Sequence, residues 1–195
     1  MVLFVVEHLE ETLGEWLLIE YEHARRLLQP YRLLVTNVRK PSHRRKLEDE
    51  GFQVDRRRVF ELFNPERLLV LDPKAGKLLQ PEDFEGVEAL VVGGILGDHP
   101  PRGRTWSLLT RFCIGARVRS LGKPQFTIDG ALFMAKKVYE GVRLEEIPVV
   151  DQVTLKVSKA HEIEIPYGYP LVDGKPLISP KLVEYLLSGW SPEGF

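Results

Sequence analysis

Four short apolar runs recur along the first half of the chain, at residues 2–6, 31–35, 67–71 and 89–92. Runs of this length with little polar alternation predict strands covered on both faces. Residues 84–87 lead into the last of them. Between the first two, residues 15–28 repeat their apolar positions with the period of a helix. Trp16, Ile19, Ala24 and Leu27 fall near one face, and Pro30 stops the run. Ser42 caps a short charged helix over 43–50 that Gly51 ends, and residues 60–63 make one helical turn. Asp72-Pro73 is a turn. Further on, 106–116 reads as a helix capped by Thr105, with Leu109, Phe112, Cys113 and Ala116 on one side. A strand over 118–121 follows, then a helix over 130–140 capped by Thr127 or Asp129 and ended by Gly141. Strands and helices alternating in this way predict an α/β fold: a mostly parallel sheet with helices on both faces.

The last fifty residues change style. Residues 153–157 and 161–165 alternate as strands or extended edges do. Residues 166–170 form a rigid aromatic turn that either covers a site or packs on the sheet. Asp173-Gly174 is a turn signal, and Ser179 with Pro180 opens a final helix over 181–187 that Gly189 stops. No repeat, low-complexity tract or linker divides the chain. It reads as one domain over 1–195, with an N-terminal half to 88, a central region at 89–150 and a C-terminal extension at 151–195.

Composition narrows the class. The chain has 195 residues, 44% hydrophobic and 28% charged, as a soluble globular domain has. No apolar run reaches membrane-spanning length. The apolar start is broken by Glu7 and has no basic leader, so it reads as a strand rather than a signal peptide. The single cysteine, Cys113, rules out an intrachain disulfide framework and fits a reducing cytoplasm; its spacing to Leu109 and Ala116 makes it a core residue. The histidines at 8, 23, 43, 99 and 161 lack metal-ligand spacing, so no metal is expected. A net charge of −1 argues against a protein that coats nucleic acid. Locally, Arg102, Arg104, Arg111, Arg117, Arg119 and Lys123 face only Asp98, which makes either a solvated helix face or a patch turned toward an anion. Arg56-Arg57-Arg58 reads as a solvated charge run.

Chemistry concentrates after the fourth strand, in Gly93-Gly94-Ile95-Leu96-Gly97-Asp98-His99-Pro100-Pro101-Arg102-Gly103-Arg104-Thr105. Glycine permits close backbone approach and positive φ. The spacing matches neither a dinucleotide fingerprint nor a phosphate loop, so by itself it fits a ligand loop or a tight turn serving packing. A second glycine turn, Gly122-Lys123-Pro124, follows the next strand. Two strand ends carrying such turns side by side make a crevice where a ligand can sit.

That loop, followed in order by Arg119-Ser120-Leu121-Gly122-Lys123-Pro124-Gln125-Phe126-Thr127-Ile128-Asp129-Gly130-Ala131, Ile147-Pro148-Val149-Val150-Asp151 and Glu164-Ile165-Pro166-Tyr167-Gly168-Tyr169, resembles the SPOUT-class methyltransferase family, which includes a eukaryotic arginine methyltransferase acting on a ribosomal protein. The resemblance covers most of the chain. It implies a deep trefoil knot, against the general rule for protein chains, and S-adenosylmethionine held in the crossing loops. It implies that Gly93, Gly94, Gly97, Asp98, Ser120, Leu121, Gly122, Phe126, Thr127 and Ile128 line the donor site, with Arg102 or Arg104 meeting the methionine carboxylate.

Methyl transfer from a sulfonium is an in-line displacement in which positioning supplies most of the catalysis. An arginine acceptor has no free lone pair, so a carboxylate must orient it and draw charge from the attacking nitrogen. Asp98 and Asp129 are the candidates, with Arg104 beside them. Asp129 also suits helix capping, Asp98 an Asx turn, and His99 either a base or a ring on Pro100. The RNA-modifying SPOUT branches carry a Ser-Leu-Asn-type turn where this chain has Thr127-Ile128-Asp129-Gly130. The expected partner is therefore a ribosomal or ribosome-associated protein, with RNA methylation or a non-catalytic RNA- or ribosome-binding module as alternatives. The class favours a homodimer; the C-terminal extension suits a monomer.

Overall fold

Val5 of the first strand faces Leu34 on one side and Val91 on the other. The strand is thus central, and both faces of the apolar runs around it are covered. The computed structural model describes residues 1–97, 102–157 and 161–188. In it, β1 (Leu3–His8), α1 (Glu15–Leu27), β2 (Leu33–Thr36), α2 (Pro41–Asp49), β3 (Gln53–Val54), α3 (Val59–Leu62), β4 (Leu68–Leu71), β5 (Ala89–Gly94), α4 (Arg104–Leu108), β6 (Arg117–Arg119) and α5 (Ile128–Tyr139) follow in turn. The six strands form one parallel sheet in the order β3-β2-β1-β5-β4-β6.

Successive strand residues point to opposite faces. Phe4, Val6, Leu33, Val35, Leu69, Leu71, Leu90 and Val92 therefore join α1 and α5 in the larger core. Val5, Leu68, Val70, Ala89 and Val91 pack with Val59, Leu109 and Cys113 on the other side. Burial pushes the Cys113 thiol up to about 11, as expected of a core residue rather than a nucleophile. Beyond α5, β7 (Val149–Val150), β8 (Val153–Lys156), β9 (Glu162–Ile165), β10 (Tyr169–Val172), β11 (Lys175–Pro176) and α6 (Pro180–Ser188) follow. β8 and β9 pair antiparallel, and β10 pairs antiparallel with β7 and β11. Among the described residues no helix is long and apolar enough to cross a membrane.

The structure departs from the sequence pattern in four places. Ile19 and Ala24 are buried as expected, together with Leu17, Leu18 and Tyr21, and the helix carries Glu20 and His23 inward with them; Trp16 and Leu27 are only half-buried. Helix α2 opens on Lys40 with Pro41 in its first turn, so Ser42 is inside the helix rather than its cap. The helix expected over 106–116 starts earlier, on Gly103 at φ +69°, and stops at Leu108, with a 3-10 turn over Thr110–Phe112. The Thr110 hydroxyl donates to buried Asp72 Oδ2 at 2.6 Å, and that tie overrides the helical period. Arg58 leaves the solvated charge run: its guanidinium pairs with Glu7, which is fully buried, and donates to the Leu108 carbonyl. A buried carboxylate needs such a partner.

Candidate active site

The carboxyl ends of β4, β5 and β6 open onto a cavity of about 320 Å³, at the low end of the roughly 300–1,000 Å³ of small-molecule sites. Both glycine turns border it. Gly93, Ile95, Leu96 and Gly97 come from the first, and Leu121 to Ile128 from the second. The Asp72-Pro73-Lys74 turn after β4 forms a third side. Parallel strands end in the same direction, so the three loops must share one rim.

The residues expected at this site divide by position. Gly93, Gly97, Arg102, Arg104, Leu121, Gly122, Phe126, Thr127 and Ile128 line the cavity. Gly94 does not: a Cβ there would meet the Tyr21 hydroxyl at 2.2 Å and Val6 at 2.8 Å, so its bare backbone serves packing against α1. Ser120 is buried beside the cavity and accepts from the Gly122 amide at 2.9 Å, which shapes the turn from behind. Asp129 is 2% exposed and hydrogen-bonds His23 Nδ1 at 2.6 Å, while Thr127 accepts from the Gly130 amide as the cap of α5. Arg104 reaches Glu10 at 3.0 Å and the Leu96 carbonyl, bracing the first glycine loop. Asp98 and His99 lie outside the described residues.

Gly97 has no room for a side chain. A Cβ on it would meet the Tyr167 ring at 2.5 Å and the Gln125 amide at 2.6 Å, and Tyr167 donates its hydroxyl to the Gly97 carbonyl at 2.7 Å. The aromatic turn therefore does both things open to it: Tyr167 reaches the glycine loop, and Tyr169 is fully buried in β10. Gln125 lines the cavity, and its Oε1 is buried with no hydrogen-bond partner among the described residues. An orphaned acceptor of this kind fits a ligand that brings donors.

A second, adjoining cavity of about 230 Å³ shares Ile95, Leu96, Gly97, Phe126 and Thr127 with the first and adds Trp16, Glu20 and Tyr167. Glu20 accepts from Trp16 Nε1 at 2.6 Å and from the Ile128 amide at 2.9 Å. Burial, and next the neighbouring Asp129, push its carboxyl up to about 8. The helical pattern carried a signal for it, since a carboxylate four residues from Trp16 interrupts the apolar stripe of Leu17, Tyr21, Ala24 and Leu28. Lys74 and Gln125 had no comparable signal, because only the sheet brings their turns together.

The basic stretch is largely spoken for. Arg119 pairs with Asp83 at 2.6 Å, Arg117 donates to the Asp83 and Glu85 carbonyls, and Arg104 holds Glu10. Arg102 and Lys123 are exposed at the mouth of the first cavity, with Lys74 on the same rim.

Residues 3–191 match the family described as Protein arginine N-methyltransferase SFM1-like. The chain is 28% identical to Protein arginine N-methyltransferase SFM1 of Saccharomyces cerevisiae over 94% of its own length and 93% of that protein. The crystal structure of the yeast enzyme complexed with SAM superposes with a TM-score of 0.86, covering 96% of this chain and 91% of the other. A dual-specific Trm10 from Thermococcus kodakaraensis, 21% identical, shares the fold with a TM-score of 0.60 over 75% of this chain and 96% of its own.

Proposed function

We propose, for a chain that belongs to the SFM1-like protein arginine N-methyltransferase family and uses S-adenosylmethionine as methyl donor, that the acceptor is an arginine side chain of a ribosomal or ribosome-associated protein. One observation carries the placement of the donor: a cavity bordered by both glycine turns and lined by Gln125, whose buried Oε1 has no partner among the described residues. When bound, the donor supplies an electrophilic methyl group on a sulfonium. Gly93, Gly97 and Gly122 present bare backbone to it, and Leu121, Phe126, Thr127 and Ile128 enclose its apolar parts. Gln125 accepts a hydrogen bond from one of its amines or hydroxyls. Arg102 meets its carboxylate in a charge-assisted pair, with Lys74 and Lys123 adding positive field. Arg104 holds the loop in shape through Glu10. Asp98, next to Gly97 in the chain, takes the role of orienting the acceptor, and Asp129 acts from behind through the charge it places near Glu20. Fixing both reactants for in-line attack supplies the catalysis.

The trefoil crossing is part of this reading. β6 lies at the sheet edge beyond β4, yet α5 directly after it packs on α1 and β5, a return path that suits a chain passing through the loop after β5. We take residues 1–195 to work as one unit, with the extension from 151 supplying Tyr167.

Calorimetry with S-adenosylhomocysteine tests the donor site. Saturable binding is expected in the parent. Gly97→Val, which drives a branched side chain into Tyr167 and Gln125, is expected to lose at least tenfold in affinity while keeping its circular dichroism. Equal affinity in a folded variant overturns the placement. Incubation with radiolabelled donor and separated ribosomal protein and RNA fractions tests the acceptor: label in protein supports the reading, and label in RNA or in neither fraction overturns it.

A further inference from the structure

The strand order reverses at β1: the chain builds β2 and β3 on one side of it, and β5, β4 and β6 on the other. Sheets of this kind hold ligands outside the carboxyl ends of their strands, near the reversal. The first cavity takes the ends of β4, β5 and β6. A third cavity, of about 330 Å³, lies at the ends of β1 and β2 and shares no lining residue with the other two. His8 closes β1, and Asn37 follows β2. The Asn37 amide donates to the His8 carbonyl at 2.7 Å, which ties the two strand ends together. Asn37 Oδ1 is left buried, with no hydrogen-bond partner among the described residues.

The charge around this cavity is positive. Arg39, Lys40, Arg58 and Arg111 line it, against Glu10 and Glu11. Arg58 is taken by Glu7, and Glu10 by Arg104 at 3.0 Å. Arg39, Lys40 and Arg111 remain to face Glu11, and Lys40 donates to the carbonyl of that residue rather than to its carboxylate. Helix α2 adds to the excess. Lys40 is its N-cap without a side-chain cap bond, its first turn holds no acid, and His43 in that turn lines the cavity. The positive end of the helix therefore has no counter-charge of its own. His43 Nδ1 lies 3.3 Å from His8 Nε2, which leaves the other ring nitrogen of His43 for a ligand. Burial first, then the Lys40 and Lys46 charges, lowers the His43 pKa, as a cationic field without an anion in it does.

We propose that this third cavity is a nucleotide site, in which Arg39, Lys40 and Arg111 hold a phosphate group. The arginine fork and the lysine ammonium are both phosphate binders. A bare phosphate leaves most of a cavity this size empty, so the anion carries an organic group. Arg111 lies over the Phe112 ring, 4.6 Å from its centre. A guanidinium plane held on a ring is a surface on which a base stacks. Asn37 Oδ1 supplies an acceptor for a hydroxyl or amine of the same ligand. A free mononucleotide and the phosphorylated end of an RNA chain share this chemistry. The inference stands apart from the methyl-donor reading, because the cavities have no lining residue in common.

The test titrates the full chain at pH 7 with uridine 5′-monophosphate, whose base differs from that of the methyl donor. Calorimetry is run with and without saturating S-adenosylhomocysteine. Saturable binding is expected in both conditions, with uridine and inorganic phosphate each at least tenfold weaker. Arg39→Ala and Arg111→Ala shorten exposed side chains, and each is expected to weaken the nucleotide about tenfold while keeping the S-adenosylhomocysteine affinity. Arg143→Ala, at an exposed cation outside all three cavities, is expected to bind as the parent does. A 5′-phosphorylated tetrauridylate separates the sources. Binding tighter than the mononucleotide and weakened by Arg111→Ala assigns RNA; equal or weaker binding assigns a free nucleotide, and either supports the site. No saturable binding in the parent, equal binding of uridine, parental affinity in both arginine variants, or displacement by S-adenosylhomocysteine overturns it. Failure of S-adenosylhomocysteine to bind counts against the donor reading alone, because the nucleotide is also titrated without it.

Discussion

His8 shows how a single buried group writes pH dependence into the fold. It sits at the end of β1, 4% exposed, with Nδ1 3.1 Å from the Tyr21 hydroxyl. Burial first, then the His43 and Lys40 charges, lowers its pKa to about 4. Below its ordinary value of 6.5 the unfolded chain takes up a proton that the folded chain refuses. Stability from this site is therefore present above pH 6.5 and is lost as the pH falls toward 4. At most about 3.5 kcal/mol is involved, since each tenfold change in proton affinity is worth about 1.4 kcal/mol. Urea titrations of the parent and His8→Gln across this range should converge as the pH falls, because the variant lacks the acid-side loss. Glu20 works with the opposite sign between about 4.5 and 8, so the difference between parent and variant, rather than either slope, isolates His8. A parallel pair of curves would contradict the assignment. None of this was legible from residue types. A histidine in a polar stretch reads as exposed until the sheet buries it.

At the level of elements, the chain repeats one device: a strand, a glycine turn and a helix start. The glycines have different uses that their spacing cannot separate. Gly93 and Gly97 line the first cavity, whereas Gly94 makes room for Tyr21 of α1. The link between Tyr167 and the Gly97 carbonyl joins the C-terminal turn to the first glycine loop. Tyr167→Phe removes that hydrogen bond and leaves the ring in place. It is expected to cost about 1 kcal/mol of stability and to weaken S-adenosylhomocysteine binding several-fold, by urea titration and calorimetry respectively. An unchanged affinity would mean that the loop holds its shape without the turn. Residues 104–112 likewise obey contacts that their spacing hides. Period alone extends a helix through them unbroken, but the Thr110 bond to Asp72 and the left-handed Gly103 divide it.

Across the whole molecule, the two sides of the sheet are tied through Glu7. Its fully buried carboxylate accepts from Thr36 on β2 at 2.5 Å and from the Val59 amide of α3 at 3.0 Å, and it pairs with Arg58, which also reaches the end of α4. Removing one partner of such a pair strands a charge in a poorly polarisable place and typically costs about 3–5 kcal/mol. Arg58→Met is expected to lose that much, and Glu7→Gln with Arg58→Met distinctly less than the sum of the two single changes, by denaturant unfolding. Additive losses would show that the pair does not act as a unit. What the sequence by itself determined is the parallel sheet, the two glycine turns and the positions of the helices around them, because short apolar runs, glycines and caps act over a few residues. What only the tertiary structure decided is which side chains meet. Glu20 comes from α1, Lys74 from the turn after β4, Gln125 from the turn after β6 and Tyr167 from the C-terminal turn. Lys74 and Gln125 share one rim because parallel strands end on the same side, and Glu20 and Tyr167 meet in the adjoining cavity through the packing of α1 and the C-terminal turn; a contact between residues more than a hundred positions apart leaves no trace in local periodicity.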